Sequence, residues 1–184
     1  MKYVSRYLFL ICAIAWGIGA NAASAAIPSD IADSNNREAI EYLSEKKVID
    51  GYPDGTFRPQ NTVNMAELVK ILVAGKGITP DAKQYRACFP DVKDEWFAPF
   101  VCYAKEQGWV SGYPDGTFRP ADIVNKAEAI KMIVNVQGYA IPASVFDTVY
   151  DDVDKTAWYA PFVQAAHDKG ILEEEDGMLG VSTD

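Results

Sequence analysis

The side chains of this 184-residue chain that could do chemistry fall into recurring sets. One is a loop nonapeptide, Gly51 to Pro59, repeated without change as Gly112 to Pro120. It carries Asp54 with Arg58, then Asp115 with Arg119. A second is a helix start, Asn64-Met65-Ala66-Glu67 and again Asn125-Lys126-Ala127-Glu128. Trp96 and Trp158 stand just ahead of two apolar helical stretches. Tryptophan offers a broad apolar face, arginine a planar fork for carboxylates and lysine a point charge. Such residues recognise ligands rather than transform them. His167 is the single histidine and no nucleophile motif accompanies it, so no Ser-His-Asp arrangement is available and no catalytic residue is expected. Glycoside cleavage by paired carboxylates turns on distance, but every acid that can be placed already has a structural role. Asp50 with Asp54-Gly55, and the cluster Asp151, Asp152 and Asp154, offer hard oxygen ligands. Neither has the spacing of an EF-hand loop, and turn and cap chemistry explains them, so neither metal nor cofactor is expected.

Composition narrows the field. With 49% hydrophobic and 23% charged residues the chain is ordinary globular protein. Its 26 acids outweigh 17 bases for a net charge of −9, and no basic cluster exists to neutralise phosphates. A nucleic-acid partner is therefore not expected.

The first residues read as an address rather than as fold. Lys2 and Arg6 precede an almost wholly apolar run from Tyr7 to Ala20, and Ala23-Ser24-Ala25 is a small-x-small cleavage pattern. Residues 1–25 thus read as a secretory signal. A helix of that run rises about 21 Å, short of a hydrocarbon core of about 30 Å, so no transmembrane span is expected after cleavage. Export sets the reading of the cysteines. Cys12 leaves with the signal, while Cys88 and Cys102 can close a disulfide worth about 3 kcal/mol in an oxidising compartment. The alternative is two buried thiols, and no nearby histidine makes a zinc site of them.

The elements that must position these groups follow from a repeat of 61 residues. That shift carries Asp30-Ile31 to Asp91-Val92 and on to Asp152-Val153, and Asp54-Gly55 to Asp115-Gly116 and Asp176-Gly177. The resulting units are 26–80, 85–141 and a partial 146–184. Each reads as helix, loop, helix. Phe97, Phe100, Val101 and Ala104 form one apolar helical face, Tyr159, Phe162, Val163 and Ala166 repeat it, and Ala39, Ile40 and Leu43 form a weaker version. Gly108 and Gly170 end their helices, with Lys47 in that place in the first unit. Tyr-Pro-Asp-Gly has the residue order of a type I turn. Asn64 with Glu67, and Asn125 with Glu128, have the form of capping boxes opening helices buried through Leu68, Val69, Leu72 and Val73, or Ala129, Ile130, Ile133 and Val134.

Together these residues resemble the S-layer homology family. The likeness runs through Asp91-Val92, Trp96, Gly108, Gly112 to Pro120 and Asn125 to Glu128, and covers nearly all of the chain behind the signal. It implies a mainly α fold of tandem helix-loop-helix repeats in a pseudo-threefold arrangement, with the third repeat incomplete. It also implies a secreted, non-catalytic envelope protein attached to cell-wall polysaccharide or peptidoglycan-linked glycan, often pyruvylated, through grooves between repeats. The glycan-binding candidates are Arg58, Asn64, Glu67, Trp96, Asp115, Arg119, Asn125, Lys126, Glu128 and Trp158. Lys126 would supply a cation where Met65 supplies none, favouring the groove at Asn125. Arg58 and Arg119 either touch ligand or pin their loop to a carboxylate, and Trp96 and Trp158 either stack on a sugar or fill the core. Tyr52 and Tyr113 face the same choice, Glu67 and Glu128 are mainly caps, and His167 is expected in solvent. The third unit has lost the Phe-Arg-Pro of the loop and the following helix start. If its face at Phe162, Val163 and Ile171 lies open, it favours association with another copy or another protein of the family, an assembly role without glycan.

Overall fold

The computed structural model describes residues 28–145, 147, 150–172 and 177–181, so the signal read at 1–25 lies outside the described residues. Five helices occur among them: α1 (Arg37–Glu45), α2 (Met65–Gly75), α3 (Ala98–Glu106), α4 (Lys126–Gln137) and α5 (Ala160–Asp168). Isolated antiparallel bridges pair Asn64 with Ile123 and Phe89 with Val92. The fold is mainly α, as the repeat pattern implies.

Local chemistry starts and stops each helix. Asn64 and Asn125 hold extended backbone, and each accepts a hydrogen bond from the N–H of Glu67 or Glu128 while that glutamate accepts from the cap's own N–H. Both capping boxes are complete, which satisfies two of the donors a helix start leaves open. α3 and α5 instead carry proline in the first turn, where the missing N–H costs nothing. Gly108 (φ 72°) and Gly170 (φ 65°) turn the chain left-handed behind them. Lys47 makes the same turn at φ 56° without glycine's freedom.

Helices of neighbouring units make the core. α2 of the first unit packs on α3 of the second, α4 of the second on α5 of the third, and α2 touches α4. One cluster joins Val69 and Val73 of α2 to Val101 and Ala104 of α3, with Phe118 and Met132. Another joins Ala127, Ile130 and Val134 of α4 to Val163, Ala165 and Ala166 of α5. A third sets Ile31, Ile40, Val48 and Ile49 against Ile71 and Ala74 of α2. Each fully buried valine is worth about 1.5–3 kcal/mol against exposure. α4 serves two clusters, so Met132 is buried in the first beside the Ile130 and Val134 face that packs in the second. Ala39, read as part of the α1 face, is exposed, since Ile40 and Leu43 suffice to meet the short helix's partners.

Two expectations are corrected. Val163 is 2% exposed because α4 covers it, and Phe162 is packed against the same cluster, leaving only Ile171 of the supposed open face exposed. His167 is half-buried, its ring edge-on to Tyr150 at 6.0 Å, rather than in solvent. Cys88 and Cys102 form a disulfide with Cα atoms 5.4 Å apart, tying the segment before Asp91 to α3.

The loops are bolted by an acid at the head of each unit. Asp30 accepts from the N–H groups of Phe57 and Arg58, both at 2.7 Å. Asp91 accepts from Phe118 at 2.9 Å and Arg119 at 2.7 Å, and Asp152 from Leu179 at 2.8 Å and Gly180 at 2.7 Å. The third unit therefore keeps the bolt at Leu179 and Gly180 despite lacking Phe-Arg-Pro, because it uses backbone donors. Arg58 (φ 60°) and Arg119 (φ 56°) adopt the left-handed conformation that Gly180 (φ 69°) adopts freely. All three carboxyls sit below the ordinary aspartate value. For Asp30 and Asp152 the main cause is the N–H of Phe57 or Leu179. At Asp91 burial pushes upward, and the N–H groups of Phe118 and Arg119 outweigh it.

Candidate functional site

Two equivalent grooves lie where one unit meets the next. Groove one, about 560 Å³, is floored by Ile49, Phe57 and Ile71 and walled by Tyr52, Arg58, Glu67, Lys70 and Trp96. Groove two, about 520 Å³, repeats it with Val110, Phe118, Met132, Tyr113, Glu128, Lys131 and Trp158. The loop supplies the tyrosine, the second helix the glutamate and lysine, and the following unit the tryptophan.

Trp96 is 61% exposed and Trp158 54%, so neither fills the core. Each indole is propped edge-on against the next ring, Phe97 or Tyr159, at 5.5 Å. That leaves a presented aromatic face over an apolar floor, the arrangement that holds a flat amphipathic ring.

The arginines pin their loops. Arg58 donates to Asp54 Oδ2 at 2.7 Å and lies over the Tyr52 ring at 4.0 Å. Arg119 does the same to Asp115 at 2.7 Å and Tyr113 at 4.3 Å. Thr56, through hydroxyl and N–H, together with Arg58, holds the Asp54 carboxyl down to about 2. Arg119 and then Thr117 hold Asp115 well below the carboxylate range. Arg58 also lines groove one, whereas Asp115 and Arg119 belong to the loop and are absent from the groove two wall.

Lys126 does not supply a groove cation. At the first position of α4 its Nζ donates to the Leu179 carbonyl, where the third unit's loop approaches the helix start. α2 shows the same docking with backbone alone. The N–H groups of Met65 and Ala66 donate to the carbonyls of Asp122 at 3.0 Å and Pro120 at 3.1 Å, and Met65 itself is buried. With the Glu67 N–H taken by Asn64, the first turn of α2 has no amide left for an anion.

The groove cations are instead Lys70 and Lys131, which sequence reasoning missed. Each lies one turn beyond the capping-box glutamate, and that i, i+3 spacing on one helix face was the available signal. Lys70 Nζ donates to the Val48 carbonyl at 2.9 Å and lies 3.5 Å from Asp50 Oδ2. Lys131 Nζ sits 5.5 Å from the Trp158 ring centre and 5.9 Å from that of Phe162. Glu128 accepts from the Tyr113 hydroxyl at 2.9 Å. Burial first, then that bond, pushes the Tyr113 phenol up to about 12.

Of the expected binding residues the grooves gather Arg58, Glu67 and Trp96 in one, and Asn125, Glu128 and Trp158 in the other. Asn64 stays behind its cap. The acids Asp30, Asp91 and Asp152, which bolt the loop of each unit, were visible as a threefold repeat without an evident job.

Comparison with known proteins agrees with this architecture. The family model of the S-layer homology domain matches residues 29–69, 89–130 and 149–182. Relatives include a surface layer protein of Brevibacillus choshinensis, 34% identical over 110 residues, covering 58% of this chain and 10% of that protein. Cell surface glycoprotein 1 of Acetivibrio thermocellus is 27% identical over 168 residues, 84% of this chain and 7% of that one. A cellulosome-anchoring protein of the same organism is 30% identical over 98 residues, 52% of this chain and 22% of that one. The chain thus spans a tenth or less of the first two relatives. No helix among the described residues is long and apolar enough to cross a membrane. With matches in all three repeats over more than half its length, the chain belongs to the S-layer homology domain family, a family of cell-surface proteins.

Proposed function

We propose that this chain attaches non-covalently to cell-wall polysaccharide through the two grooves and performs no catalysis of its own. The observation that carries this reading is the repetition of one recognition set, a propped and exposed tryptophan, a tyrosine, a glutamate and a lysine, across both grooves. The names of relatives in surface layers and in cellulosome anchoring support it. Two modest sites on one chain bind a repeating polymer far more tightly than either does alone. A net charge of −9 opposes general attraction to anionic polymers, so binding depends on local contacts. The glycan is then a wall polymer whose sugar rings stack on Trp96 and Trp158. Whether it bears a pyruvyl ketal is a question of its acid groups, and only a groove with an available cation suits one.

The test is co-sedimentation with purified sacculi before and after their secondary polysaccharide is stripped. Pelleting that vanishes on stripping, and falls in Trp96→Ala and Trp158→Ala variants of unchanged stability, is the expected result. No pelleting with either preparation overturns the reading.

A further inference from the structure

Both grooves are built on the same loop nonapeptide, yet the two copies differ in form. They share the aspartate bolt and the pin between arginine and aspartate. They also share the bond from the tyrosine N–H to the threonine carbonyl, at 2.7 Å in the first loop and 2.8 Å in the second. They part at the first glycine. Gly112 is left-handed at φ 74°, and Gly51 is not. The Phe118 ring is buried, while its equivalent Phe57 is half-buried. Tyr113 donates to Glu128 Oε1 at 2.9 Å; the exposed Tyr52 makes no such bond to Glu67 among the described residues.

Identical sequences in different forms take the difference from their surroundings. What differs is the residue packed against the glycine. Phe89 of the second unit stands where Pro28 stands in the first. A Cβ placed on Gly112 would meet Phe89 Cε1 at 2.6 Å, whereas a Cβ on Gly51 would lie 4.0 Å from Pro28 Cγ. The Phe89 ring also lies against Phe118, with centroids 5.5 Å apart. It is thus a strut beneath both ends of the second loop, in a close-packed interior that transmits small displacements.

The strut is held to α3. The Cys88–Cys102 disulfide joins the residue before Phe89 to that helix. Lys105 of α3 donates to the Cys88 carbonyl at 2.5 Å and stands 3.9 Å from the centre of the Phe89 ring. The other units cannot repeat this, because the cysteine positions hold Ile27 and Glu41 in the first and Val149 and Val163 in the third. We propose that Cys88 and Cys102 are positioning residues for groove two: through Phe89 their bridge sets the second loop and seats Tyr113 on Glu128 before a glycan arrives. Groove one, without the strut, orders Tyr52 as it binds. This rests on the wall-binding reading and gives the disulfide a task in one groove beyond its contribution to the whole fold.

The experiment uses the full chain carrying Trp158→Ala, which leaves groove one, or Trp96→Ala, which leaves groove two. Into each goes either Cys88→Ser with Cys102→Ser, or Phe89→Leu, which keeps the bridge and an apolar side chain but removes the ring. Binding to purified sacculi and spectrophotometric titration of the tyrosines are read at a temperature where circular dichroism shows every variant folded. Both changes should weaken the groove-two chain about fivefold, the effect of having to order one side chain on binding, and leave the groove-one chain unchanged. Both should also bring the late-titrating Tyr113 phenol down toward the ordinary tyrosine range, which a loss of stability alone does not do in a folded chain. A late phenol that persists in either folded variant overturns the proposal, and so does an equal loss of binding through both grooves. If the chain with both grooves intact does not pellet, the wall-binding reading falls, while the phenol titration still decides whether the strut sets the loop.

Discussion

Removing the Asp91 carboxylate should weaken the fold more than any other single surface acid. Asp91 takes the N–H of Phe118 at 2.9 Å and of Arg119 at 2.7 Å, and the Phe118 side chain lies in the core at 0% exposure. Hydrogen bonds to a charged acceptor contribute about 1.5–3 kcal/mol each. Asp91 itself is half-exposed, so water recovers part of that and the lower end applies, about 3 kcal/mol for the pair. At about 2–4 °C per kcal/mol for a chain of this size, Asp91→Ala should lower Tm by about 6–12 °C. Circular dichroism of Asp91→Ala beside Asp94→Ala, an exposed neighbour, measures it, and the second variant should stay within about 1 °C of the parent. The pH dependence has a definite sign. The folded carboxyl lies below its unfolded value, so its stabilisation is fully present above that value, about 3.9, and is lost as pH falls through the depressed one. The gap between parent and Asp91→Ala should therefore be constant near neutrality and narrow below pH of about 4. A folded Asp91→Ala within about 2 °C of the parent at pH 7 would refute the role given to the bolt.

Reducing the Cys88–Cys102 disulfide should cost about 3 kcal/mol, read as a lower denaturant midpoint with dithiothreitol, and a Cys88→Ser, Cys102→Ser chain should show the same loss with no further response to reductant. Lys47→Gly should raise stability by about 0.5 kcal/mol, since it relieves a left-handed backbone at φ 56° and loses part of that gain to the freer unfolded chain; a lower Tm would contradict it. Tyr113→Phe should remove the phenol that ionises near 12 in a spectrophotometric titration, and an unchanged late-titrating phenol would show that another tyrosine accounts for it. Trp96→Ala should leave Tm within about 1 °C while weakening wall binding; a large loss of stability would mean the indole belongs to the core after all.

Much of the fold was legible because each unit states its own caps and turns. Asn64 and Asn125 announce helix starts, Gly108 and Gly170 announce ends, and the 61-residue shift fixes their order. What was less legible is which unit each helix packs against. Apolar spacing marks Val69 or Ile130 as inward, but says nothing of a partner, and so could not show that α4 would cover Val163 or bury Met132 on a second side. The site divided in the same way. Exposed tryptophans and loop arginines stood out by type, but where each is placed depends on neighbours distant in sequence. Lys126 looked like a ligand cation until the Leu179 carbonyl came to meet it, and Lys131 looked like ordinary helix surface until Trp158 was placed beside it.

The interleaving of α2 with α3 and of α4 with α5 has a consequence for how such genes can be cut and joined. The repeat that a duplication copies and the hydrophobic body that folds are out of phase by half a period. A crossover between the end of one second helix and the next first helix keeps the sequence repeats whole yet divides a core, exposing Val73 on one product and Val101 on the other. A crossover inside a loop, between a first helix and its second, leaves the paired helices together; it re-draws the Asp-to-loop bolt, which any residue with a backbone N–H can complete, and the smaller contact of residues such as Ile40 and Val48 with Ile71 and Ala74. Breakpoints that survive should therefore fall within the GYPDGTFRP loops rather than at the borders of the repeats they seem to define.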